Sequence, residues 1–454
     1  MNHSPIPSRF LNLLVFIILT QTAFAQSHLL QFQHLSVDQG LSTNVVRSIT
    51  QDKNGFMWLG TTDGLNRFDG YNMEIFRQRP GDINSLPDNA LFCLFTDSRG
   101  IVWIGSTNGL VRYDGNTNSF RSIPLYPKTD KSHPNGNIIN AIAEDSRGLI
   151  WIGTGEGLCF FDVKTNGFRR FVHDDRSNSI SDDHIRDIKL APDGAIWIGT
   201  MHGLNRLDPA TMRFTSFYHD IADSLTLSTS LVLRIAIDKN GNLWTCSISH
   251  DKLCLDRFNT RTFRCEHFTK YITKHGSGNY LLSIIFPRNL GDFVTSLCID
   301  KDRRLWIGSS LSGLTLFLPD KHIFYDYNRD LTDPDGMRSN NIISIFQDLS
   351  GMIWLGTLAG AERFNPNESK FILYRSQLVD SVSSNQKTVQ AFAEDNFFHL
   401  WIGTSEGYLF WIAIPENLPH IIGTTIRQNR LMKIQLQLSV GTWMETFGLV
   451  LRTD

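Results

Sequence analysis

Five polar residues occupy the same place in a recurring turn and are the candidates for ligand contact. Each stands directly before a glycine that opens a strand, and the residue type changes from repeat to repeat: Asp63, Asn108, Glu156, His202 and Glu406. Such side chains in loops hydrogen-bond small polar ligands, whereas glycosidic cleavage needs two positioned carboxylates. No carboxylate pair and no His/Tyr/Arg cluster interrupts the repeat. The pattern favours binding over catalysis, with mere solvation of these side chains as the simpler alternative.

The six cysteines give no indication of a metal centre or cofactor site. They stand at Cys93, Cys159, Cys246, Cys254, Cys265 and Cys298, without the C-x-x-C spacing typical of zinc ligands. Because export permits disulfides, a Cys246–Cys254 or a Cys254–Cys265 bridge is one interpretation. The other, which we favour, is that all six are small buried hydrophobes in strands. The sequence predicts no metal and no cofactor.

The turns belong to an internal repeat marked by tryptophan, usually followed by Ile or Leu, Gly, and Thr or Ser. The tryptophans are Trp58, Trp103, Trp151, Trp197, Trp244, Trp306, Trp354 and Trp401, at successive spacings of 45, 48, 46, 47, 62, 48 and 47 residues. Each unit holds four β-rich segments separated by Gly-containing turns; in the first they are residues 45–50, 56–61, 65–69 and 73–77. Four antiparallel strands at this period are typical of propeller blades.

The repeat predicts an all-β fold: a seven-bladed β-propeller of four-stranded blades, plus the start of a second propeller. We expect Trp and Gly to lie on one strand face, the Gly leaving room for a bulky group of the adjacent blade. The recurring aspartates are expected to be turn residues: Asp52, Asp97, Asp145, Asp238, Asp300, Asp348 and Asp395. Residues 29–35 are expected to close the ring as an outer strand of blade seven. The extra residues of the fifth repeat fall between Asp251 and Ser296 and predict an insertion on one propeller face.

The first 25 residues have the organisation of a secretory signal peptide. Arg9 and the amino terminus precede an apolar run over residues 11–20, and Ala23-Phe-Ala25 is an A-x-A cleavage site. An uncleaved membrane anchor is the alternative, but the apolar run is short for a span. We therefore expect cleavage after Ala25 and a periplasmic or secreted protein. The net charge of −2 gives no electrostatic reason to expect nucleic acid as a partner.

The opening of the repeat region resembles two-component regulator propellers. The resemblance covers about residues 30–412 and is carried by Leu35-Ser-Val-Asp-Gln-Gly-Leu-Ser-Thr-Asn44 and by Ile49-Thr-Gln-Asp-Lys-Asn-Gly-Phe-Met-Trp-Leu-Gly-Thr-Thr-Asp-Gly-Leu-Asn-Arg-Phe-Asp-Gly70. Members of this family form periplasmic sensor regions of hybrid two-component histidine kinases. The resemblance implies sensing of oligosaccharides or other small ligands to control glycan-utilisation genes, by full-length proteins that are membrane-anchored and dimeric.

This chain departs from the family's layout, which has two seven-bladed propellers followed by membrane, kinase, receiver and DNA-binding parts. It holds about eight repeats and no sequence resembling those later parts, so it is expected to have no kinase activity itself. The expected domains are a signal peptide (1–25), a propeller (26–370), the first blade of a second propeller (371–412) and a tail (413–454). A secreted propeller enzyme acting on glycans, such as a lyase or glycosidase, and a protein-interaction scaffold are the alternative functions.

The tail from residue 413 is interpreted as an out-of-frame translation. The codons of Trp443 and Met444 are unambiguous, and reading from the third base of the Trp443 codon forces Asp-Gly. The following codons permit Asn-Leu-Trp-Ile-Gly-Thr, a ninth repeat whose tryptophan codon straddles Phe447 and Gly448, where the period requires it. Coincidence is the alternative. The DNA decides: the other frame must continue through propeller repeats if this hypothesis is right.

Overall fold

The computed structural model describes residues 30–126, 132–175, 178–249, 252–271, 292–331, 333, 335–367, 389–394, 399–404 and 407–412. The expected signal peptide, Glu406 and the tail from residue 413 lie outside these ranges. Within the described part of the chain, no helix has the length and hydrophobicity needed to cross a membrane.

Seven four-stranded antiparallel sheets form the propeller, and each of the first six consists of four strands consecutive in the chain. A 3₁₀ helix, Val37–Gln39, follows the first strand. The strands are β1 (Gln33–Leu35), β2 (Val46–Gln51), β3 (Met57–Thr61), β4 (Gly64–Phe68), β5 (Met73–Phe76), β6 (Leu91–Thr96), β7 (Val102–Ser106), β8 (Gly109–Asp114), β9 (Ser119–Ile123), β10 (Ile139–Glu144), β11 (Ile150–Thr154), β12 (Gly157–Asp162), β13 (Gly167–Phe171), β14 (Ile185–Leu190), β15 (Ile196–Thr200), β16 (Gly203–Asp208), β17 (Arg213–Phe217), β18 (Arg234–Ile237), β19 (Leu243–Ser249), β20 (Lys252–Asn259), β21 (Arg264–Tyr271), β22 (Val294–Ile299), β23 (Leu305–Ser309), β24 (Leu314–Leu318), β25 (Ile323–Tyr327), β26 (Ile342–Gln347), β27 (Ile353–Thr357) and β28 (Ala361–Phe364).

The blades form a closed ring. The first strand of each blade contacts the first strand of the next, and β26 of blade 7 contacts β2 of blade 1. Blade 7 takes its outer strand from the other end of the chain, because β1 pairs antiparallel with β28 in the order β1-β28-β27-β26. The prediction that the segment 29–35 closes the ring as an outer strand of blade 7 is confirmed for Gln33–Leu35; residue 29 lies outside the described ranges. Pairing with β1 also removes the open edge that β28 would otherwise present.

In six of the seven blades a glycine two residues after the tryptophan allows the blades to approach closely, as the repeat predicted; blade 5 has Cys246 at this place. A Cβ added to Gly153 would lie 2.5 Å from Cγ2 of Ile185 in the next blade. At Gly356 the same atom would lie 2.6 Å from the carbonyl oxygen of Val46, across the ring closure. The seven tryptophans of the ring are at most 2% exposed. Trp and Gly together therefore build the apolar layers between blades.

The recurring aspartates hold those tryptophans in place as well as forming turns. In five blades an Asp Oδ2 accepts a hydrogen bond from the indole Nε1 six residues later, at 2.7–3.1 Å: Trp58–Asp52, Trp103–Asp97, Trp151–Asp145, Trp306–Asp300 and Trp354–Asp348. Blade 4 has Ala191 in place of the aspartate, and Nε1 of Trp197 is buried without a partner. In blade 5 the side chain of Asn242 takes Oδ2 of Asp238 instead.

The fifth repeat lengthens its strands as well as its loop. Strand β19 ends five residues after Trp244, whereas β15 ends three residues after Trp197. Strands β20 and β21 have eight residues each. Part of the predicted insertion is thus a longer hairpin, and residues 272–291 lie outside the described ranges.

All six cysteines are thiols, so neither of the two disulfides considered from the sequence is formed. Cys159, Cys246, Cys254 and Cys265 are buried, and Cys93 and Cys298 are half-buried. Burial raises the pKa of Cys93 and of Cys159 to about 12. The thiols therefore stay protonated and act as small apolar side chains.

The eighth repeat forms a separate three-stranded antiparallel sheet of β29 (Val389–Glu394), β30 (His399–Thr404) and β31 (Gly407–Ile412). Its register shifts between Val389 and Ala391, as the equivalent strand pairs do in six blades of the ring. This backbone pattern is that of the first three strands of a blade. That it begins a second propeller stays a prediction.

Candidate functional site

Four of the five sequence candidates lie in turns between the second and third strands of blades 1 to 4. The glycine after each candidate donates its amide to a carbonyl of the loop that leads into the next blade. These bonds are Gly64–Asn89, Gly109–Asn137, Gly157–Asp183 and Gly203–Ser230, at 2.6–3.0 Å. The turns and the inter-blade loops therefore form one face of the propeller. We call it the loop face.

In blades 1 and 2 the candidate side chains already have protein partners. The Asp63 carboxylate accepts hydrogen bonds from Nε of Arg77 at 3.1 Å and from Nδ2 of Asn89 at 3.3 Å. The Asn108 amide donates to Oδ2 of Asp88 at 3.2 Å. Both contacts join the turn to a neighbouring strand or loop, so these two residues brace the loop face.

Glu156 in blade 3 retains an oxygen without a protein partner. Its Oε1 accepts the amide of Asn135 at 2.8 Å, whereas Oε2 is buried and unsatisfied. Aromatic rings lie in the loop that leads into this blade: the ring of the buried Tyr126 stacks on the exposed His133 at 4.4 Å, and the Arg170 guanidinium lies 3.7 Å from the Tyr126 centroid. Burial raises the pKa of Tyr126, while Arg170 opposes that shift. Blade 3 and the loop before it thus combine an unsatisfied acceptor with the exposed ring of His133.

His202 in blade 4 is exposed and pairs with an aromatic side chain that the repeat did not point out. Its imidazole lies 5.5 Å from the ring of Tyr218, which is 42% exposed. Tyr218 also lies against the turn itself, because a Cβ at Gly203 would come within 3.1 Å of it. Among the described hydrogen bonds none joins two of the four candidates, so any shared ligand must span neighbouring blades.

A serine, a histidine and an aspartate meet in blade 5, but their geometry does not suit nucleophilic catalysis. Nδ1–H of His267 donates to Oδ1 of Asp256 at 2.7 Å, and Oγ of Ser228 lies 2.9 Å from the same Nδ1. Nε2–H donates to the carbonyl of Ser224 at 2.7 Å. The hydrogen bond to Asp256 raises the pKa of His267. An imidazole that donates from both nitrogens has no lone pair to accept a serine proton.

Asp256 belongs to a recurring structural position that the sequence did not reveal. In four blades a polar side chain at the equivalent place in the third strand accepts the backbone amide of an inter-blade loop: Asn66 from Ser42, Asn205 from Ser181, Asp256 from Ser228 and Glu362 from Arg338. The distances are 2.8–3.0 Å. These buried acceptors hold the inter-blade loops of the loop face in place by hydrogen bonds to their backbone amides.

Comparison with known proteins agrees with this architecture. Residues 40–63, 85–108, 132–156 and 290–310 match the two-component regulator propeller family. A segment of 75 residues is 39% identical to histidine kinase P4 of Formosa agariphila; it covers 16% of this chain and 6% of that protein. The chain thus spans only a small part of that relative.

Solved structures with the same fold include extracellular domains of putative hybrid two-component systems. The extracellular domain of the putative hybrid two-component system BT3049 from B. thetaiotaomicron is 25% identical over 89% of this chain and 50% of its own, with a TM-score of 0.64. That of BT4673 from the same organism is 20% identical over 88% of this chain and 48% of its own, with a TM-score of 0.59. This chain therefore spans about half the length of these domains.

Virginiamycin B lyase from Staphylococcus aureus shares the propeller fold. It is 16% identical over 74% of this chain and 98% of its own, with a TM-score of 0.52, so the likeness concerns the fold alone. The repeat motif, the seven blades and the matches above agree with one another. Four segments of the chain thus carry two-component regulator propeller repeats, and its fold resembles the extracellular domain of a putative hybrid two-component system.

Proposed function

We propose that this chain is the periplasmic ligand-sensing propeller of a two-component system and that its loop face binds an oligosaccharide. The exposed His202–Tyr218 ring pair carries the proposal. A ring pair of this kind offers an apolar platform with polar edges, the combination that ligand sites for sugars and other polar small molecules need. The unsatisfied Oε2 of Glu156 in the adjacent blade supplies a hydrogen-bond acceptor on the same face. Transmission of occupancy to a kinase, control of glycan utilisation and dimerisation are parts of this proposal.

Replacing His202 or Glu156 by alanine is expected to weaken oligosaccharide binding about tenfold, because each removes a contact on the loop face. Isothermal titration against an oligosaccharide panel measures the affinity. Lys239→Ala is the control, since Lys239 is an exposed residue of the turn between β18 and β19 on the opposite face. Unchanged affinity in both loop-face variants, with loss in the control, contradicts the assignment of the face.

Catalysis on glycans is the second candidate function, because a lyase shares the fold. Among the described residues we find no pair of carboxylates placed for glycosidic cleavage, and the imidazole of His267 is not arranged to accept a proton. We expect purified protein to release neither reducing ends nor unsaturated products from a polysaccharide panel. Release of either by the wild-type protein identifies an enzyme and rejects a purely sensory role.

A further inference from the structure

The loop between blades 4 and 5, residues 218–231, positions both members of the ring pair on the loop face. Tyr218 is its first residue. Near its other end, the carbonyl of Ser230 accepts the amide of Gly203, the residue after His202, at 2.6 Å. Whatever holds this loop in place therefore also holds Tyr218 beside His202.

Blade 5 holds the loop through two side chains that face each other across neighbouring strands. His267 of β21 pairs directly with Asp256 of β20, and its Nδ1–H donates to Oδ1 of Asp256 at 2.7 Å. From the other ring nitrogen, Nε2–H donates to the loop carbonyl of Ser224 at 2.7 Å. Oδ2 of Asp256 accepts the loop amide of Ser228 at 2.8 Å. The pair thus contacts the loop at two places, and we call this set of four residues the loop clamp.

The contact with Ser224 requires a proton on His267. A carbonyl and a carboxylate only accept hydrogen bonds, so an imidazole that contacts both must donate from both nitrogens and be cationic. The hydrogen bond to Asp256 raises the pKa of His267, while burial opposes this effect. The His267 side chain is 29% exposed, so its proton exchanges with solvent. A neutral ring has a single N–H, and the charged Asp256 is the stronger acceptor for it. Loss of the proton therefore releases Ser224.

The ionisable groups of the surrounding strands are neutral or already paired. They are Cys246, Cys254 and Cys265 in blade 5 and Arg206 in blade 4. Burial and Asp256 raise the pKa of Cys246 and of Cys265, so these groups remain thiols. Nη2 of Arg206 lies 3.4 Å from Oδ2 of Asp193. These groups do not compete with Asp256 for His267.

The loop itself brings three more ionisable groups towards blade 5. They are His219, Asp220 and Asp223. Oδ2 of Asp223 accepts Nη1 of Arg264 at 2.6 Å. His219 donates from Nδ1 to the carbonyl of Leu227 at 2.6 Å, a single bond that a neutral imidazole retains. The dependence of the loop clamp on a proton therefore falls on His267.

Blade 4 anchors its own loop without an ionisable pair. Asn205 and Ser216 have the equivalent cross-strand register, and Oδ1 of Asn205 accepts the amide of Ser181 at 2.9 Å and the hydroxyl of Ser216 at 2.8 Å. A neutral pair is thus sufficient to anchor an inter-blade loop from beneath. The ionisable pair of blade 5 adds the contact with Ser224 and makes that contact dependent on pH.

We infer that the proton on His267 regulates the ring-pair site: the loop 218–231 is held to blade 5 while the imidazole is cationic and is released at Ser224 when it is neutral. The consequence for ligand binding rests on the proposed function. Because the folded state raises the pKa of His267, the clamp is complete below pH 6.5 and is lost as pH rises above it. Asp256 is the positioning residue that keeps His267 protonated.

Amide hydrogen exchange of the full chain without ligand, read by mass spectrometry at pH 5 and pH 9, tests the inference. After correction for the intrinsic pH dependence of exchange, we expect the loop 218–231 to exchange about tenfold faster at pH 9, because one charge-assisted hydrogen bond is lost. His267→Gln is expected to exchange at the faster rate at both pH values. His219→Gln makes the same change within the loop and should keep the response to pH. The loop between blades 3 and 4, with its neutral anchor, is the internal reference.

An NMR titration of the His267 imidazole separates this role from a merely structural one. Asp256→Asn keeps an acceptor for the amide of Ser228 but removes the charge. The midpoint of the His267 titration is therefore expected to fall by at least about one pH unit in this variant. The same exchange experiment on Asp256→Asn should show the faster loop already at neutral pH.

Three outcomes overturn the inference: equal exchange of the wild-type loop at pH 5 and pH 9, a pH response that persists in His267→Gln, and a His267 midpoint that does not change in Asp256→Asn. Oligosaccharide binding at the ring pair with the same affinity at both pH values rejects the regulation and leaves the proposed function standing. The full exchange response in a protein that binds no oligosaccharide of the panel supports the loop clamp and rejects the proposed function alone.

Discussion

Asp145→Ala is expected to lower the free energy of unfolding by about 3 kcal/mol, because the substitution removes five hydrogen bonds at once, two of them from the partly exposed Arg147 guanidinium. Oδ2 of Asp145 accepts Nε1 of Trp151 at 3.1 Å, and Oδ1 accepts the amides of Arg147 and Leu149 at 3.0 Å each. Trp151 is completely buried, so its indole N–H finds no water after the substitution. Urea unfolding of Asp145→Ala and of the wild type measures the difference.

Blade 4 supplies the matched control within the same chain. Ala191 stands where the other blades have aspartate, and Nε1 of Trp197 has no partner. The amide of Ala195 is bonded to Oδ1 of Asp193 instead, at 3.0 Å. Ala191→Asp is therefore expected to raise the free energy of unfolding by about 1 kcal/mol, the gain of one buried hydrogen bond. If Asp145→Ala and Ala191→Asp both change stability by less than about 0.5 kcal/mol, the size of an ordinary surface substitution, the Trp–Asp bond contributes nothing.

The fold could be predicted from the sequence because the blades repeat one local pattern of residues. The Trp-x-Gly spacing places a large and a minimal side chain on one face of a strand, and only stacked sheets make use of both. Gly153 shows why: the space that it leaves is filled by Ile185 of the next blade. The closing strand was also predictable, since a blade with three strands in sequence needs a fourth from elsewhere.

The candidate site was only partly predictable, because its features depend on contacts between blades. The repeated turn pointed to all the candidates alike, so it gave no reason to separate Asp63, which is paired with Arg77, from Glu156, which keeps an oxygen unsatisfied. Tyr218 lies outside the repeated turn and joins His202 only in three dimensions.

The ring closure contains a second feature that the sequence could not indicate, a buried acid opposite a half-buried histidine. His34 of β1 pairs directly with Glu362 of β28. Glu362 is 1% exposed; its Oε1 accepts the amide of Arg338 at 3.0 Å, while Oε2 has no partner. Both ring nitrogens of His34 are buried without partners. Burial raises the pKa of Glu362 to about 7, against the opposing effect of Arg338. Burial and Arg338 lower the pKa of His34, whereas Asp335 raises it.

Glu362→Gln is therefore expected to make the protein more stable at neutral pH and to remove a pH dependence. The unfolded carboxyl ionises near pH 4.5, while the folded one holds its proton to about pH 7. The folded state thus binds more protons between these values, so stability falls as pH rises through this interval and the full penalty applies above it. A shift of this size corresponds to about 3 kcal/mol. His34 acts in the opposite direction, since its stabilising neutral form is lost as pH falls below 6.5, but it is common to both proteins.

Urea unfolding at pH 5 and pH 8 measures the effect: the advantage of the Glu362→Gln variant over the wild type should be small at pH 5 and near its maximum at pH 8. An equal advantage at both values shows that Glu362 does not ionise between them, and an advantage larger at pH 5 reverses the assigned direction of its pKa.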